Sequence, residues 1–585
     1  MKRKHLQKLF AAVLTCTMLA SLLTGCGNSK AESTGSSESK QESSVAESTT
    51  AEQSSEASEE EEFDVRSITE GKTITIMTPA HAYISDYNDN WATYYLEEAL
   101  GCDIEFMTIP SEDYADKLNL MVNTGEELPD IIFNCNGLWS SWSKDDVLVE
   151  LSEYYANPDY CPNITKATED SGIDIVSYLR DADGNVYGLP RWVQSTNTAT
   201  GNKMWLYEPW LDKLGVDVPE TMDEFYEVCK LVATTDLNEN GVQDEIAVWG
   251  QGLTGGWSGW FGFMMSPYIY AYDGSFRVVE DGQVSVAYTT DAWKEGLKNM
   301  KKFVEEGLLP TEVITQSYDM YTASLYAETP TVFSFNYGFY DGADAQRRLD
   351  YVCVPGLKDE NGENGYSKYS MNAPYVNGVI TTDCEDPLAA FVICDFMCNE
   401  TFGLILRYGQ QGYHWDYWDN VKATYPNAEN YATIEGEEPY FISVLDLTIT
   451  DYWNGKVPQN YAWRQWGPTI ILQDVLDRAA ILQTATTPEE ELALANTKEL
   501  KEATEACLAN RPEEIYDRGA ISVKESEAIA EQSSAVWSYV KEMTAAFITG
   551  TQDIDTYWDT YLAELDKLGL KDVVEVYQLA YTRSH

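Results

Sequence analysis

The chain has 585 residues, with 96 Asp and Glu against 39 Lys and Arg, for a formal net charge of −57. That balance argues against docking on phosphate backbones or anionic lipid headgroups, both of which need basic side chains. Only four histidines occur (His5, His81, His414 and His585), so chemistry built on clustered imidazoles has almost no material to work with.

At the N-terminus, Lys2, Arg3, Lys4 and Lys8 precede a 15-residue apolar stretch, Leu9 to Leu23, too short for a membrane span. It ends in Leu23-Thr24-Gly25-Cys26, which resembles a bacterial lipobox. That resemblance implies a signal peptide over 1–25, cleavage before Cys26 and diacylglycerol on its thiol. An ordinary secretory signal with a chance cysteine is the alternative. Residues 27–62 hold 11 Ser and 10 Glu with one branched aliphatic, Val45. Such a segment buries too little apolar area to order itself, so 26–62 reads as a solvated tether. Residues 63–585 still carry 86 acidic and 33 basic side chains.

Beyond the tether, Thr73–Thr78 reads as a buried strand, followed by a loop with His81 and Tyr83 and a helix over Trp91–Leu100. Asp103–Thr108 is a second strand, Tyr114–Val122 a helix, and Leu128–Phe133 a third strand ending at Asn134. Alternating strands and helices predict βαβ units and a parallel sheet, whose ligands sit beyond the strands' carboxyl ends. A second α/β region starts near Trp205, with helices at Leu211–Leu214, Met222–Val232 and Ala292–Glu306. Strands come next at Ile246–Trp249, Thr331–Phe335 and Tyr351–Val354, then a helix over Pro387–Asn399. The last 110 residues are mostly helical. Nine cysteines lie between Cys102 and Cys507, with no zinc-type spacing. The closest pair, Cys394 and Cys398, reads as two small apolar helix residues.

Gly250-Gln251-Gly252-Leu253-Thr254-Gly255 matches a dinucleotide fingerprint literally. The next residues, Gly256 to Trp260, are Gly- and Trp-rich and do not start a helix, so the stretch reads as a loop. Asp236, Asn238 and Asn240 place oxygens at positions 1, 3 and 5 of a loop, with Gly241 at 6, the Val242 carbonyl at 7 and Asp244 and Glu245 at 9 and 10. Hard cations want this donor pattern, so the loop is a candidate structural calcium site. It departs from the EF-hand at position 12, which is Ala247; a polar turn is the alternative. Aromatic residues in polar loops suit the flat C–H faces of sugars. The candidates for a ligand cleft are His81, Tyr83, Asn134, Trp192, Trp257, Trp260, Tyr337, Trp415, Trp463 and Trp466. Arg191, Lys203 and Arg464 are the few basic residues near them, which favours neutral over anionic sugars. Trp293, Trp537 and Trp558 read as core.

The lipobox, the tether, Leu128–Phe133 and Val186-Tyr187-Gly188-Leu189-Pro190 together resemble family 1 of the extracellular solute-binding proteins of carbohydrate ABC transporters. Trp210–Gly215, Pro219–Phe225, the calcium-like loop and Tyr408–Trp415 are similar to the large branch containing alginate-oligosaccharide-binding proteins. Tyr207 and Pro209 stand where the family often has Arg and Asp, so no role of those two residues carries over. The resemblance implies a type II periplasmic-binding-protein-like α/β fold with two lobes, a hinge and a mostly helical C-terminal part. The expected division gives 63–190 and about 330–400 to the N-terminal lobe, and about 191–329 and 401–585 to the C-terminal lobe. It also implies a monomeric, non-enzymatic, lipid-anchored sugar binder serving separate permease subunits. The loop residues Asp236, Asn238, Asn240, Asp244 and Glu245 match the family's calcium loop position by position. A secreted glycoside hydrolase and a binder of peptides or other polar solutes are the alternatives.

Overall fold

The computed structural model describes residues 64–585 except 82, 136, 144–145, 196–198, 254–258, 273–274, 339–344, 360, 371, 434, 444–457, 464–465 and 517–520. The leader, Cys26 and the tether lie outside the described residues. The first three strands are β1 (Thr73–Pro79), β2 (Asp103–Ile109) and β3 (Ile131–Phe133), with β2 and β3 parallel to β1 on either side. Ile74, Ile76 and Met77 of β1 and all of β3 are at most 1% exposed, so both sheet faces are covered, as parallel sheets require. Burying each such side chain is worth about 1.5–3 kcal/mol. Helices Trp91–Leu100 and Tyr114–Thr124 make the crossovers. Asn90 caps the first by accepting from Ala92 N at 3.1 Å. Both end on glycines in the left-handed region, Gly101 and Gly125. The third strand begins at Ile131 and not at Leu128. Pro129 has no N–H to give a ladder, and the Asp130 carboxylate is taken by Thr75 N and Oγ1, each at 2.7 Å.

Next come β4 (Gly188–Val193), β5 (Lys203–Tyr207), β6 (Ile246–Trp249), a hairpin of β7 (Arg277–Glu280) and β8 (Gln283–Val286), β9 (Val332–Tyr337), β10 (Tyr351–Val354) and β11 (Tyr375–Ile380). Short ribbons pair β12 (Asp416–Tyr417) with β14 (Phe441–Ile442) and β13 (Tyr431–Ala432) with β16 (Ile481–Leu482); β15 is Thr469–Ile471. Hydrogen bonding sorts the main strands into two sheets, β15-β4-β11-β3-β1-β2 and β10-β5-β9-β6. In the first, β11 is antiparallel to both neighbours and β15 is parallel to β4. In the second, β5 is antiparallel to β9 and β10, while β6 is parallel to β9.

This pairing corrects the expected lobe division. β9 and β10 lie within 330–400, which was expected in the first lobe, yet they ladder to β5 and β6. β15 was expected in the second lobe but pairs with β4, and helix Glu400–Tyr408 packs on it so closely that a Cβ at Gly403 would sit 3.0 Å from Ile471 Cγ1. The first lobe is therefore built from 64–193 and 375–482, the second from 203–354 and 488–585. The described residues of 194–202, 355–374 and 483–487 cross between them. Val540, Phe547, Trp558 and Tyr561 of the C-terminal helices share one core with Trp205, Phe225, Trp260, Trp293 and Phe335, which places that helical part in the second lobe.

Asp395, 2% exposed on helix Pro387–Met397, joins two first-lobe helices. Helix Pro162–Ser171 has no side-chain cap of its own. Asp395 supplies one from across the interface, accepting from Ile164 N at 2.9 Å, Asn163 N at 3.2 Å and Asn163 Nδ2 at 2.7 Å. Cys394 and Cys398 beside it are buried and free, as small apolar residues would be. Burial pushes the Asp395 carboxyl up to about 6, with the three hydrogen bonds opposing. A raised carboxyl contributes its stability in full below the ordinary aspartate range, and that contribution is lost as pH rises through about 6. The unfolding free energy of the wild type relative to Asp395→Asn should therefore fall by about 2–3 kcal/mol between pH 4 and 7. Urea titrations of both proteins across that range check it, and a pH-independent difference would contradict the shifted carboxyl.

Candidate functional site

The carboxyl end of β1 leads into His81 and Tyr83, and residues 459–463 run beside it. Gln459 locks the two together. Its backbone N–H donates to Tyr83 O at 3.0 Å, and its own carbonyl accepts from Ser85 N at 3.0 Å. Its side-chain oxygen accepts from Tyr461 N and Ala462 N at 2.5 and 3.0 Å. At 7% exposure this amide has little water to compete for those bonds. The clamp brings the half-buried rings of His81, Tyr83 and Trp466 into edge contact, with centroids 5.1 Å (His81–Tyr83) and 5.0 Å (His81–Trp466) apart.

Beside this group lies a more open pair. Tyr413 and Tyr461 are 50% and 40% exposed with ring centroids 6.4 Å apart. His414, only 2% exposed, sits edge-on against both, at 4.7 and 4.4 Å. Its Nδ1 accepts from Gln410 N at 2.9 Å, so this imidazole is a prop for the tyrosines. Gly409 makes the prop possible: its φ is +93°, and a Cβ there would lie 2.8 Å from His414 Nδ1.

Two further polar pairs border this edge. Arg191 donates through Nη1 to Tyr375 Oη at 2.8 Å, across the β4–β11 pair, and Tyr375 is 43% exposed. At the end of β3, Asn134 takes a left-handed φ of +55° and accepts from Asn377 Nδ2 at 3.0 Å. Asn134 Nδ2 and Asn377 Oδ1 are buried without a hydrogen-bond partner, an uncommon pair of spare polar atoms. On the second lobe, the corresponding edge carries the ends of β6 and β9, with Tyr337 half-buried and Trp205 Nε1 donating to its carbonyl at 3.0 Å.

Of the expected cleft residues, His81, Tyr83 and Trp466 come together at this edge, and Asn134 lies at the end of the neighbouring strand. Four of the expected tryptophans do not line a cleft: Trp192, Trp260, Trp415 and Trp463 are at most 1% exposed. Trp463 is sandwiched edge-on by Phe106 and Phe402, and its indole N–H donates to Thr93 Oγ1 at 3.0 Å. Trp415 Nε1 donates to Gly409 O at 2.9 Å, and Trp192 Nε1 to Asn372 O. Trp260 lies over Gly250 so tightly that a Cβ there would meet its ring at 2.1 Å. Lys203 is likewise withdrawn from any ligand: fully buried, it donates to Thr200 O and Oγ1, both at 2.9 Å, and to Gly338 O at 3.4 Å. Trp257 and Arg464 lie outside the described residues. Sequence reasoning missed Tyr413, Tyr461 and Tyr375.

The loop Asp236–Glu245 turns sharply at Gly241, φ +84°. Asp236 Oδ2 accepts from Gly241 N at 2.9 Å, Asn238 Oδ1 from Asn240 N at 3.1 Å and Asn240 Oδ1 from Val242 N at 2.7 Å. The side-chain amides of Asn238 and Asn240 both reach Asp244, at 2.9 and 3.1 Å. Residues 236, 238, 240 and 244 thus fold inward, as a cation-binding turn requires. Glu245 does not join them. Only 9% exposed, it accepts from Leu237 N at 2.6 Å, Asn238 N at 3.0 Å and Gln243 Nε2 at 2.7 Å, holding the loop shut from behind. Among the described residues no three Asp, Glu, His or Cys side chains converge. The loop carries hard oxygen donors in the two carboxylates of Asp236 and Asp244, the amide oxygens of Asn238 and Asn240 and the Val242 carbonyl, while Glu245 acts as a latch.

The whole folded chain is similar to known binding proteins. The fructooligosaccharide ABC transporter substrate-binding protein FusA of Streptococcus pneumoniae is 24% identical over 535 residues, 88% of this chain and 90% of that protein. The structure of its EF-hand mutant with fructo-nystose superposes with a TM-score of 0.68 at 20% identity, over 87% of this chain and 99% of that one. An extracellular solute-binding protein from Bifidobacterium longum subsp. infantis superposes at 0.71, with 19% identity over 88% and 98%. The alginate-binding protein AlgQ2 without calcium ion does so at 0.61, with 16% identity over 88% and 98%. Residues 73–375 match the bacterial extracellular solute-binding proteins, so two α/β lobes with an aromatic edge at the strand ends are here the frame of a member of that family.

Proposed function

We propose that the protein captures a neutral oligosaccharide between its lobes and delivers it to an ABC importer, held to the outer face of the cell membrane by lipid on Cys26. The observation that carries this reading is the row of rings at the first-lobe edge, His81, Tyr83, Trp466, Tyr413 and Tyr461, clamped by Gln459. Rings fixed on rigid loops present flat apolar faces that suit sugar C–H faces, and the spare amide of Asn134 is suited to a hydroxyl. The fructooligosaccharide-binding relative supports the substrate class. Neutral ligands are favoured by charge: 86 acids repel polyanions, Lys203 is buried, and Arg191 is engaged by Tyr375.

Calorimetric titration and thermal shift across neutral oligosaccharides, uronate oligomers and peptides test the reading. A neutral oligosaccharide at a hundred times its Kd should add about 2.7 kcal/mol of stability. Tighter binding of uronates or peptides would replace the proposed substrate class, and release of shorter sugars would replace binding by hydrolysis. Tyr461→Ala and Trp466→Ala should weaken binding at least about tenfold while changing stability by under ~1 kcal/mol. Trp463→Ala, by contrast, empties a core position and should cost about 3–5 kcal/mol in denaturant unfolding.

We also propose that calcium occupies the loop through Asp236, Asn238, Asn240, Val242 O and Asp244, in a structural role. The FusA EF-hand mutant and the AlgQ2 structure without calcium ion support this choice of ion. Two carboxylates make for a weaker site than the usual three or more. Calcium at ten times its Kd should stabilise the protein by about 1.4 kcal/mol, and a chelator should abolish that gain. Asp244→Ala should lose the response, whereas equal chelator effects on both proteins would reduce the loop to a polar turn.

A further inference from the structure

β10 ends the second lobe's edge, and the chain leaves it at Pro355 for the second crossing. Cys353 on this strand is half-buried. Cys507, 1% exposed, lies near the end of helix Pro488–Ala509, which packs against β10. Across 154 residues of sequence, the two sulfurs are 4.0 Å apart. The crossing itself docks at the same place: Ser367 N donates to Asn510 O at 2.9 Å and Ser367 Oγ to Pro355 O. Both cysteines are free in this structure.

We propose that Cys353 and Cys507 are a redox-active pair that closes to a disulfide outside the cytoplasm, joining the helix Pro488–Ala509 to the strand from which the second crossing departs. A disulfide needs the sulfurs at about 2 Å, a closure of about 2 Å that side-chain rotation can supply. The location suits it, because extracytoplasmic compartments keep disulfides oxidised. The environment suits it too. The hydrogen bond from Cys353 holds the Cys507 thiol below its ordinary value, helped by the Lys203 ammonium and the Ser367 hydroxyl against burial. That same bond, with burial, pushes the Cys353 thiol up.

The chemistry balances with a small disulfide such as oxidised glutathione. One thiol of the pair loses its proton to water and attacks one glutathione sulfur, expelling one glutathione thiolate, which takes up a proton. The other thiol, deprotonated in turn, attacks the cysteine sulfur of the mixed disulfide and expels the second glutathione. Two cysteine thiols are oxidised, one glutathione disulfide is reduced to two thiols, and no other reactant is needed. Cys394 and Cys398, one turn apart on a single buried helix, have no such outlet.

The bond would tie together the roots of a chain segment that leaves the second lobe, builds β11 and β15 of the first, and returns. Its effect belongs to the anchorage of the crossing and not to the ring-lined edge, so sugar binding should be preserved in both redox states.

The test equilibrates the folded full chain in glutathione buffers from reducing to oxidising, quenches in acid, alkylates under denaturing conditions and maps peptides. The expected result is one species lighter by two hydrogens in which the Cys353 and Cys507 peptides are joined, reversible by reductant. The oxidised wild type should melt at least about 2 °C above the reduced form, and Cys507→Ser should show no such difference. Alkylation of both cysteines at the most oxidising ratio, a glutathione adduct on Cys353 that never resolves, or joining to a different cysteine would each overturn the proposal. The peptide map is made on wild type, so it decides the matter even where the variant folds poorly.

Discussion

The first lobe depends on one insertion. β11 returns from the second lobe and lies antiparallel between β3 and β4, turning two open strand edges into one six-stranded sheet. The fit is close enough to dictate residues. A Cβ at Gly188 would sit 2.3 Å from Val376 Cγ2, and one at Gly378 would sit 3.2 Å from Phe133 Cδ1. The register shifts between Val376 and Gly378, leaving Asn377 as the extra residue of a bulge. Bulges re-aim side chains, and this one delivers Asn377 to Asn134 across 243 residues of sequence. Completing the sheet and placing the paired amides at the strand ends are thus a single structural event. Its cost is the closure of a long loop, which only the many contacts of a finished sheet can offset.

The aromatic side chains divide by what their polar atoms can reach. An indole buries a large apolar area and carries one N–H that usually finds an acceptor when buried, although Trp260 Nε1 and Trp293 Nε1 have none here. Trp192, Trp415 and Trp463 each found an oxygen acceptor within their lobe and went inward. Tyrosine hydroxyls accept water readily, so Tyr413, Tyr461 and Tyr375 could remain at the rim. Burying the tryptophans is what makes the rim rigid. Trp463 is held between Phe106 and Phe402 two residues from Tyr461 and three from Trp466, so the exposed Tyr461 ring and the half-buried Trp466 ring flank a residue fastened to the core.

The opening βαβ run was legible because its elements are continuous apolar stretches that form locally; the helix Trp91–Leu100 and the strands Ile246–Trp249 and Tyr351–Val354 came out with their observed ends. The strands β4, β11 and β15 were not. Gly-Leu-Pro-Arg-Trp-Val and Tyr-Val-Asn-Gly-Val-Ile interrupt the apolar pattern with residues that matter only once the partner strand is in place, and β15 has three residues. The same non-locality hid the lobe boundaries, since β9 and β10 neighbour first-lobe segments in sequence but pair elsewhere. At the candidate site, residues following strand ends (His81, Tyr83, Asn134) could be found from topology, whereas loop tryptophans could not be sorted into core and rim without their neighbours. Cys353 and Cys507 escaped for the same reason: spacing along the chain says nothing about a pair that a helix brings back to a strand.

The crossings show where a change in lobe angle can be absorbed. Lys203 anchors the first to the second lobe: its ammonium holds Thr200 and the carbonyl of Gly338, and burial draws its pKa below the ordinary lysine value. Three oxygen acceptors keep a buried cation tolerable where one would not. The second crossing is tied to the first by Ser370 N donating to Ala199 O at 2.9 Å, and to β4 by Asn372 Nδ2 donating to Val193 O at 3.0 Å. Ser367 ties it to the end of helix Pro488–Ala509 through Asn510 O and to its own start through Pro355 O. These two crossings are therefore fixed at their roots, and hinge rotation in them, which needs only a few residues to change φ and ψ, is confined to what lies between those bonds. A lobe closure built this way moves the two lobes as rigid bodies, so the ring geometry set within the first lobe is preserved through it.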